Sequence, residues 1–403
     1  MVKKDRNIKA VMVGLGYIGL PTAALMASRG IKVHGVDINQ KAVDTINRGE
    51  IHIVEPDLDG LVRHVVKEGY LVADTQATAA DVFLIAVPTP FKGDHVPDIS
   101  YVETATRNLC PFLEEGNLVI LESTSPVGTT ERVKEIIDEE RPELKGKVFI
   151  AYCPERVLPG NVIHELEHND RSIGGMDEKS TEQAINFYRN FVKGELVATN
   201  ARTAEMCKLV ENSSRDVSIA FANELSMICD KAGIDVWELI SLANRHPRVN
   251  ILQPGTGVGG HCIAVDPWFI VSEFPEEAKI IRSAREINNY KTNWVIEKVK
   301  NSSLKFELKH ERKPKIACMG LAFKPDIDDL RESPALNVTK ALISEGLDIM
   351  PIEPNIESHP DFDVYSIQEA REKADILVFL VSHREFRKLF DKGIDKEYLS
   401  FVN

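Results

Sequence analysis

Short apolar runs at Ile8 to Val13, Lys32 to Val36, Val82 to Val87, Leu118 to Leu121 and Val148 to Ala151 alternate with stretches of helical periodicity. Continuous runs this short read as buried strands, and their alternation with helices predicts a doubly wound parallel sheet. The first run enters Gly14-Leu15-Gly16-Tyr17-Ile18-Gly19, after which Pro21 to Ser28 reads as helix with Gly30 as its stop. A first domain is expected over residues 1–197. From Thr203 to Ala232 a helical pattern runs without proline or glycine, and a second occupies Glu277 to Val299, so residues 198–300 read as a central helical region. The lysine-rich stretch Asn301 to Pro314 reads as a linker. The chain resumes with a strand at Lys315 to Met319, Gly320-Leu321-Ala322, and strand candidates at Leu347 to Ile352 and Ala374 to Val381, so residues 301–403 repeat the first domain in outline. The expected fold class is α/β: two Rossmann-like doubly wound parallel-sheet domains bridged by a long central helix.

Size supports more than one core, because 403 residues exceed what a single hydrophobic core accommodates. The net charge of −13 gives no electrostatic reason to expect nucleic acid or an anionic membrane as partner. Any anionic ligand must therefore be held by local Arg and Lys. No apolar run approaches the roughly 18 residues of a membrane span, and Met1 to Arg6 lead into a strand pattern rather than a signal peptide, so a cytoplasmic location is expected. Cys110, Cys153, Cys207, Cys229, Cys262 and Cys318 form no C-x-x-C pair, which points to neither a zinc site nor a disulfide framework. His261 beside Cys262 is a weak exception, since sequence neighbours seldom point at one metal, and no metal is expected.

The G-x-G-x-x-G signal follows a strand, opens a helix, and is succeeded 18 residues after Gly19 by an acidic residue, Asp37, at the end of the next strand. In that context Gly14 allows the tight turn, Gly16 admits a pyrophosphate near the backbone, and Gly19 permits close helix packing. Asp37 would accept a ribose diol and repel a 2′-phosphate, which favours NAD over NADP. Thr89 and Thr124 follow later strands at the carboxyl edge, where they are either cofactor contacts or ordinary turn residues.

The loop Pro254 to Pro267 sets Cys262 and Asp266 among closely spaced glycines. A thiolate is a strong nucleophile toward carbonyl carbon, and a nearby carboxylate can orient a proton or a water beside it. The alternative is a small buried cysteine on an ordinary turn. On the long helix Lys208, Asn212 and Arg215 recur at i, i+4 and i+7, either a face for polarising a carbonyl or a solvated surface stripe. Glu155, Arg156 and Val157 follow another strand at the ligand-bearing edge.

Together the segments VGLGYIGLPTA, GEIHIVEPDL, STSPVGTTE, CPERVLPG, KLVENSSRDV, NRHPRVNILQPGTGVGGHCIAVDPWF and GLAFKPDIDDLRESPA closely resemble the UDP-glucose/GDP-mannose dehydrogenase family over essentially the whole chain. The resemblance implies oxidation of a sugar C6 alcohol to a carboxylate in two hydride transfers to NAD. Cys262 would attack the intermediate aldehyde, and the resulting thiohemiacetal would be oxidised to a thioester that water hydrolyses. Lys208 and Asn212 would stabilise the oxyanion, Thr124 and Asp266 would hold a water, and Glu155 would assist hydrolysis. Gly14, Gly16, Tyr17, Ile18, Gly19, Asp37, Thr89, Thr124 and Arg331 are the implied cofactor contacts. Arg156, Val157, Lys208, Asn212, Arg215, His246, Arg248, Gly259, Phe323 and Lys324 are the implied substrate contacts. Within the family, the cysteine loop and the IHIVEPDL block favour a UDP-N-acetylhexosamine, the N-acetylmannosamine epimer first and N-acetylglucosamine as its alternative. A homodimer through the long helix is also implied. Two other classes compete: a non-catalytic nucleotide-sugar sensor, which the retained Cys262 and Lys208 argue against, and a two-electron dehydrogenase, which would need no thiol.

Overall fold

The computed structural model describes residues 8–53, 55–157, 160–260, 262–391, 394 and 396–403. The chain forms two compact units, Met1–Val210 and Glu211–Asn403. In the first, β1 (Lys9–Val13), β2 (Lys32–Val36), β3 (Leu71–Asp74), β4 (Val82–Ile85), β5 (Leu118–Leu121), β6 (Phe149–Tyr152), β7 (Arg171–Gly175) and β8 (Leu196–Asn200) build one sheet. Its order is β8-β7-β6-β5-β4-β1-β2-β3. All neighbours run parallel except β6 and β7, which are antiparallel. The order reverses between β1 and β4, the topological switch point at which open α/β sheets bind ligands beyond the carboxyl ends of their strands.

Successive strand residues feed opposite faces. Met12, Leu84 and Ile120 enter one apolar cluster, while Val11, Phe83 and Val119 enter another. Burial on both faces is why these strands read as continuous apolar runs. In the second unit β9 (Lys315–Met319), β10 (Asp348–Ile352), β11 (Ile376–Phe379) and β12 (Glu397–Ser400) form an all-parallel sheet in the order β10-β9-β11-β12. The helices include α1 (Gly19–Ser28), α2 (Ala201–Ala232), α3 (Asp266–Glu273), α4 (Lys279–His310) and α5 (Pro334–Ser344). The α/β class with two Rossmann-like sheets and a long helix between them in sequence is as expected. Among the described residues, no helix is long and apolar enough to cross a membrane.

The structure corrects the expected linker. Residues 301–310 continue α4 to His310. Its lysines and glutamates are good helix formers, no proline intervenes before Pro314, and Phe306 is buried in a cluster with Val295, Val299, Ile316, Val338 and Leu342. In these two sheets four strands escape the apolar pattern for a shared reason, incomplete burial or polar content. Strand β3 alternates buried and exposed residues, β7 buries an arginine and two glycines, and neither β8 nor β12 holds a fully buried residue.

Both cores contain buried polar groups with dedicated partners. In the first unit the Tyr188 hydroxyl donates to Glu122 at 2.5 Å, and Arg171 pairs with Glu155 at 3.0 Å while lying 5.1 Å from the Tyr188 ring centroid. Burial pushes the Glu122 carboxyl up to about 7. In the second unit Arg285 donates to Asp216 at 2.7 Å and Asn288 donates to the same carboxylate at 2.8 Å, which ties α4 to α2.

Two outcomes follow from these features. Lys305→Pro is expected to cost about 3 kcal/mol or more in urea unfolding, because it breaks α4, whereas wild-type stability would restore the linker. The raised Glu122 pKa stabilises the fold below the ordinary value of 4.5, and that contribution is lost as pH rises to about 7. The unfolded chain releases its proton over this window while the folded chain keeps it, a difference on the order of 3 kcal/mol. Glu122→Gln should therefore gain stability relative to wild type between pH 5 and about 8, as measured by denaturant titration at each pH.

Candidate active site

Strand β1 ends at the glycine turn. Gly14 holds φ +91°, its N–H donates to the Val36 carbonyl at 2.8 Å, and a Cβ there would stand 2.4 Å from the Ala86 carbonyl oxygen. At Gly19 a Cβ would come within 1.8 Å of the Gly14 carbonyl oxygen. Only glycine fits at either point. At Gly16, by contrast, a Cβ would meet nothing within 4 Å among the described residues, so their packing does not demand glycine there, and the open space suits close approach of a ligand.

Further observations fit a dinucleotide. Ile18 precedes α1 without a side-chain cap, the first turn carries no acidic residue, and Tyr17 is exposed. Asp37 stands at the end of β2 with Oδ2 accepting the Leu15 N–H at 2.9 Å and Oδ1 accepting the Asn39 N–H at 2.9 Å. The Thr89 hydroxyl is buried and has no partner among the described residues, an arrangement that a bound ligand would complete.

Two other edges of the first sheet carry named residues. Thr124 is half-buried beyond β5, in a turn whose later amides are held by Glu205, a fully buried carboxylate on α2. Glu205 accepts Gly128 N–H, Thr130 N–H and the Thr130 hydroxyl at 2.6–2.7 Å. Glu155, beyond β6, is buried; Oε1 accepts the Arg156 N–H at 2.7 Å and Oε2 faces Arg171. Arg156 donates to the Asp170 carbonyl at 3.1 Å, and Val157 packs against the main core of the unit.

In the second unit the structure gathers five of the named residues. Cys262 is exposed, and its carbonyl accepts the N–H groups of Val265 at 3.1 Å and Asp266 at 2.8 Å where α3 begins. This removes the alternative of a small buried cysteine. Asp266 is buried and accepts the Asn212 amide at 2.6 Å, so the carboxylate orients that amide and leaves its second N–H for another acceptor. Gly259 and Gly260 lie under Phe323: a Cβ on either would come within 3.0 Å of it. His261 lies outside the described residues.

The loop is held by residues that no motif announced. Asn223 accepts the Gly255 N–H at 2.9 Å and donates to Asn288 at 2.9 Å, and Thr292 donates to the Thr256 carbonyl at 3.1 Å. Nothing in the sequence flags them, because each acts at long range from α2 or α4. Lys208 and Asn212 stand one turn apart on α2, both half-buried, while Arg215 is exposed. His246 and Arg248 are exposed on a segment closed by reciprocal Asn244–Ile251 hydrogen bonds of 2.9 and 2.7 Å. Lys324 is exposed, and Arg331 forms a bidentate pair with Asp329. Among the described residues no group of three or more His, Cys, Asp or Glu is arranged to hold a metal ion.

Residues 8–192 match the NAD binding domain of the UDP-glucose/GDP-mannose dehydrogenase family, residues 202–290 its central domain, and residues 317–399 its UDP binding domain. The chain is 58% identical over 395 residues to the UDP-N-acetyl-D-mannosamine dehydrogenase of Campylobacter jejuni, covering 94% of this chain and 96% of that protein. It is 56% identical over 391 residues to an NDP-N-acetyl-D-galactosaminuronic acid dehydrogenase of Ralstonia nicotianae, covering 94% and 91%. The solved UDP-D-ManNAc dehydrogenase of Pyrococcus horikoshii superposes with a TM-score of 0.87 at 38% identity, covering 98% of this chain and 96% of that one. Glycine turn, exposed thiol and full-length similarity agree: the chain belongs to the UDP-glucose/GDP-mannose dehydrogenase family, NAD-binding oxidoreductases of nucleotide sugars.

Proposed function

We propose that this protein oxidises the C6 alcohol of UDP-N-acetyl-D-mannosamine to the carboxylate in two successive two-electron steps, with UDP-N-acetyl-D-glucosamine as the alternative substrate. The observation that carries this reading is the exposed Cys262 in a glycine-lined loop, beside the buried Asp266–Asn212 hydrogen bond. A two-electron alcohol dehydrogenase needs no such thiol. The Campylobacter relative supports the mannosamine epimer, while the comparable identity of the Ralstonia relative favours a galactosamine nucleotide as a second reading.

Two NAD molecules, bound in turn, would supply the hydride acceptor, one for each oxidation. Gly14, Gly16, Tyr17, Ile18, Gly19, Asp37, Thr89, Thr124 and Arg331 would hold each. Lys208, or a water held by Thr124 and Asp266, takes the alcohol proton as the first hydride leaves. The Cys262 sulfur then adds to the aldehyde carbon, and the carbonyl electron pair moves to an oxygen stabilised by Lys208 and Asn212. Loss of the second hydride from this thiohemiacetal gives a thioester. Water attack, assisted by Glu155, releases the carboxylate and returns the thiol. Arg156, Val157, Arg215, His246, Arg248, Gly259, Phe323 and Lys324 join Lys208 and Asn212 as substrate contacts.

The division into a cofactor domain (1–197), a central dimerisation and catalytic-loop region (198–300) and a UDP-sugar domain (301–403) belongs to the same reading. A homodimer through α2 is supported by Phe221 and Ile228, seven residues apart on one face and 51% and 55% exposed. A cytoplasmic location belongs to the same reading.

Incubated with NAD and UDP-linked N-acetylmannosamine, N-acetylglucosamine, N-acetylgalactosamine or glucose, the protein is expected to turn over the first fastest and to form two NADH per sugar acid. One NADH per aldehyde or ketone product would sink the four-electron reading. Cys262→Ser should bind both ligands yet lose uronate formation by 10²-fold or more, because a serine hydroxyl is a far poorer nucleophile than a thiolate, on the order estimated for losing such a group. Wild-type uronate production by that variant would rule out the covalent route.

A further inference from the structure

The turn after β9 repeats the turn after β1. Gly320 holds φ +100° and donates to the Ile352 carbonyl at 2.8 Å, as Gly14 at φ +91° donates to Val36 at 2.8 Å. Leu321 then donates its N–H to Glu353 at 2.8 Å, as Leu15 donates to Asp37 at 2.9 Å. In each case the carboxylate is the residue that follows the second strand of the fold. Glu353 thus occupies the position that reads ribose in a dinucleotide-binding unit.

Its surroundings differ from those of Asp37. Asp37 is half-buried, whereas Glu353 is 3% exposed and saturated. Oε2 accepts Leu321 N–H at 2.8 Å, Ala322 N–H at 3.0 Å and His383 Nε2 at 3.0 Å, and Oε1 accepts the Asn355 N–H at 3.1 Å and side-chain amide at 2.9 Å. Five donors on a group with about four lone-pair sites leave no capacity for a ligand hydroxyl. His383 is fully buried, and its Nδ1 accepts the Asp326 N–H at 2.9 Å, which makes Nε2 the protonated nitrogen that donates to Glu353. Asp326 sits at φ +63°, an unfavourable value for a residue with a side chain, and also accepts the Arg384 N–H at 2.9 Å.

We propose that the buried Glu353–His383 pair is a ribose-reading position converted into a clamp, which pins both ends of the loop Leu321–Asp326 and so positions Phe323 and Lys324 for the uridine nucleotide. Leu321 and Ala322 are held by the carboxylate at one end, and Asp326 by the imidazole at the other. Phe323, between them, is the residue packed on Gly259 and Gly260 beside Cys262. The pair touches no ligand; both members are positioning residues. This inference rests on the reading that Phe323 and Lys324 contact the nucleotide sugar.

The two halves of the imidazole can be removed separately. His383→Gln keeps a donor for Glu353 and loses the acceptor for Asp326; His383→Asn does the reverse. In the full-length protein each variant is expected to weaken UDP binding by isothermal titration, and to raise KM for the UDP-sugar, about tenfold, the scale of one lost buried hydrogen bond. NAD affinity and kcat at saturating substrate should stay within about twofold. If UDP affinity is unchanged in whichever variants fold, even with a lowered Tm, the pair is only a stability element and the proposal is overturned. Asn355→Ala, which removes the side-chain amide that donates to Glu353 and lies 3.2 Å from His383 Nδ1 while keeping the backbone donor and the imidazole itself, serves as the check should both histidine variants fail to fold, with the same expected weakening and the same overturning result. Lys324→Ala separates the underlying reading. If it leaves UDP affinity unchanged while the clamp variants weaken it, Lys324 is not the contact and the clamp stands. If it weakens UDP while the clamp variants do not, the reading stands and the clamp falls.

Discussion

The amide groups that follow the first strand of each sheet have left the strand ladder and need new acceptors, and a carboxylate at the end of the adjacent strand supplies them. Asp37 does this for Leu15 and Glu353 for Leu321 and Ala322. An unmatched buried N–H costs about 1–3 kcal/mol, so the turn conformation and the carboxylate are specified together. The sheet residues that the proposed function uses hang from such edges. Thr89 and Thr124 follow β4 and β5, Glu155 follows β6, and Phe323 follows β9.

The cysteine loop obeys the same rule by other means. Among the described residues it pairs with no strand, and its backbone is held by side chains on long helices, Asn223 and Thr292, and by the first turn of α3 taking the Cys262 carbonyl. Satisfied buried amides of this kind rigidify what they hold. That leaves the thiol exposed on a fixed support, and it leaves Asp266 to orient Asn212. In the proposed covalent route the carbonyl must meet the Cys262 sulfur at a defined angle, so the anchoring of this loop would be part of that chemistry.

Buried charge is used differently in the two units. Arg171 compensates Glu155 beyond β6, while burial pushes the carboxyl of Glu122, hydrogen-bonded to Tyr188 nearby, up to about 7. One guanidinium neutralises one carboxylate, and the other answers burial with a raised pKa. In the second unit Arg285 and Asn288 share Asp216 and thereby join α4 to α2.

Much of this protein was legible in the residues themselves. Continuous apolar runs marked the strands buried on both faces, Gly14 and Gly19 marked the glycine turn because backbone sterics admit nothing else there, and Asp37 marked its end as the carboxylate that accepts the Leu15 N–H. Cys262 stood out by its glycine setting, and the ordered motif blocks carried the family. Where burial was partial the pattern was silent, as at β3, β8 and β12, and where a charged surface covered a buried Phe306 it misled, turning the end of α4 into a linker. Only the tertiary structure decided that Asn223 anchors the cysteine loop, that Arg171 lies against Glu155, and that Glu353 is closed off by His383. Each of these joins residues distant along the chain. Local sequence encodes conformational preference and periodicity, whereas which carboxylate meets which cation, and which is left open to a ligand, is set by the packing that brings remote segments together.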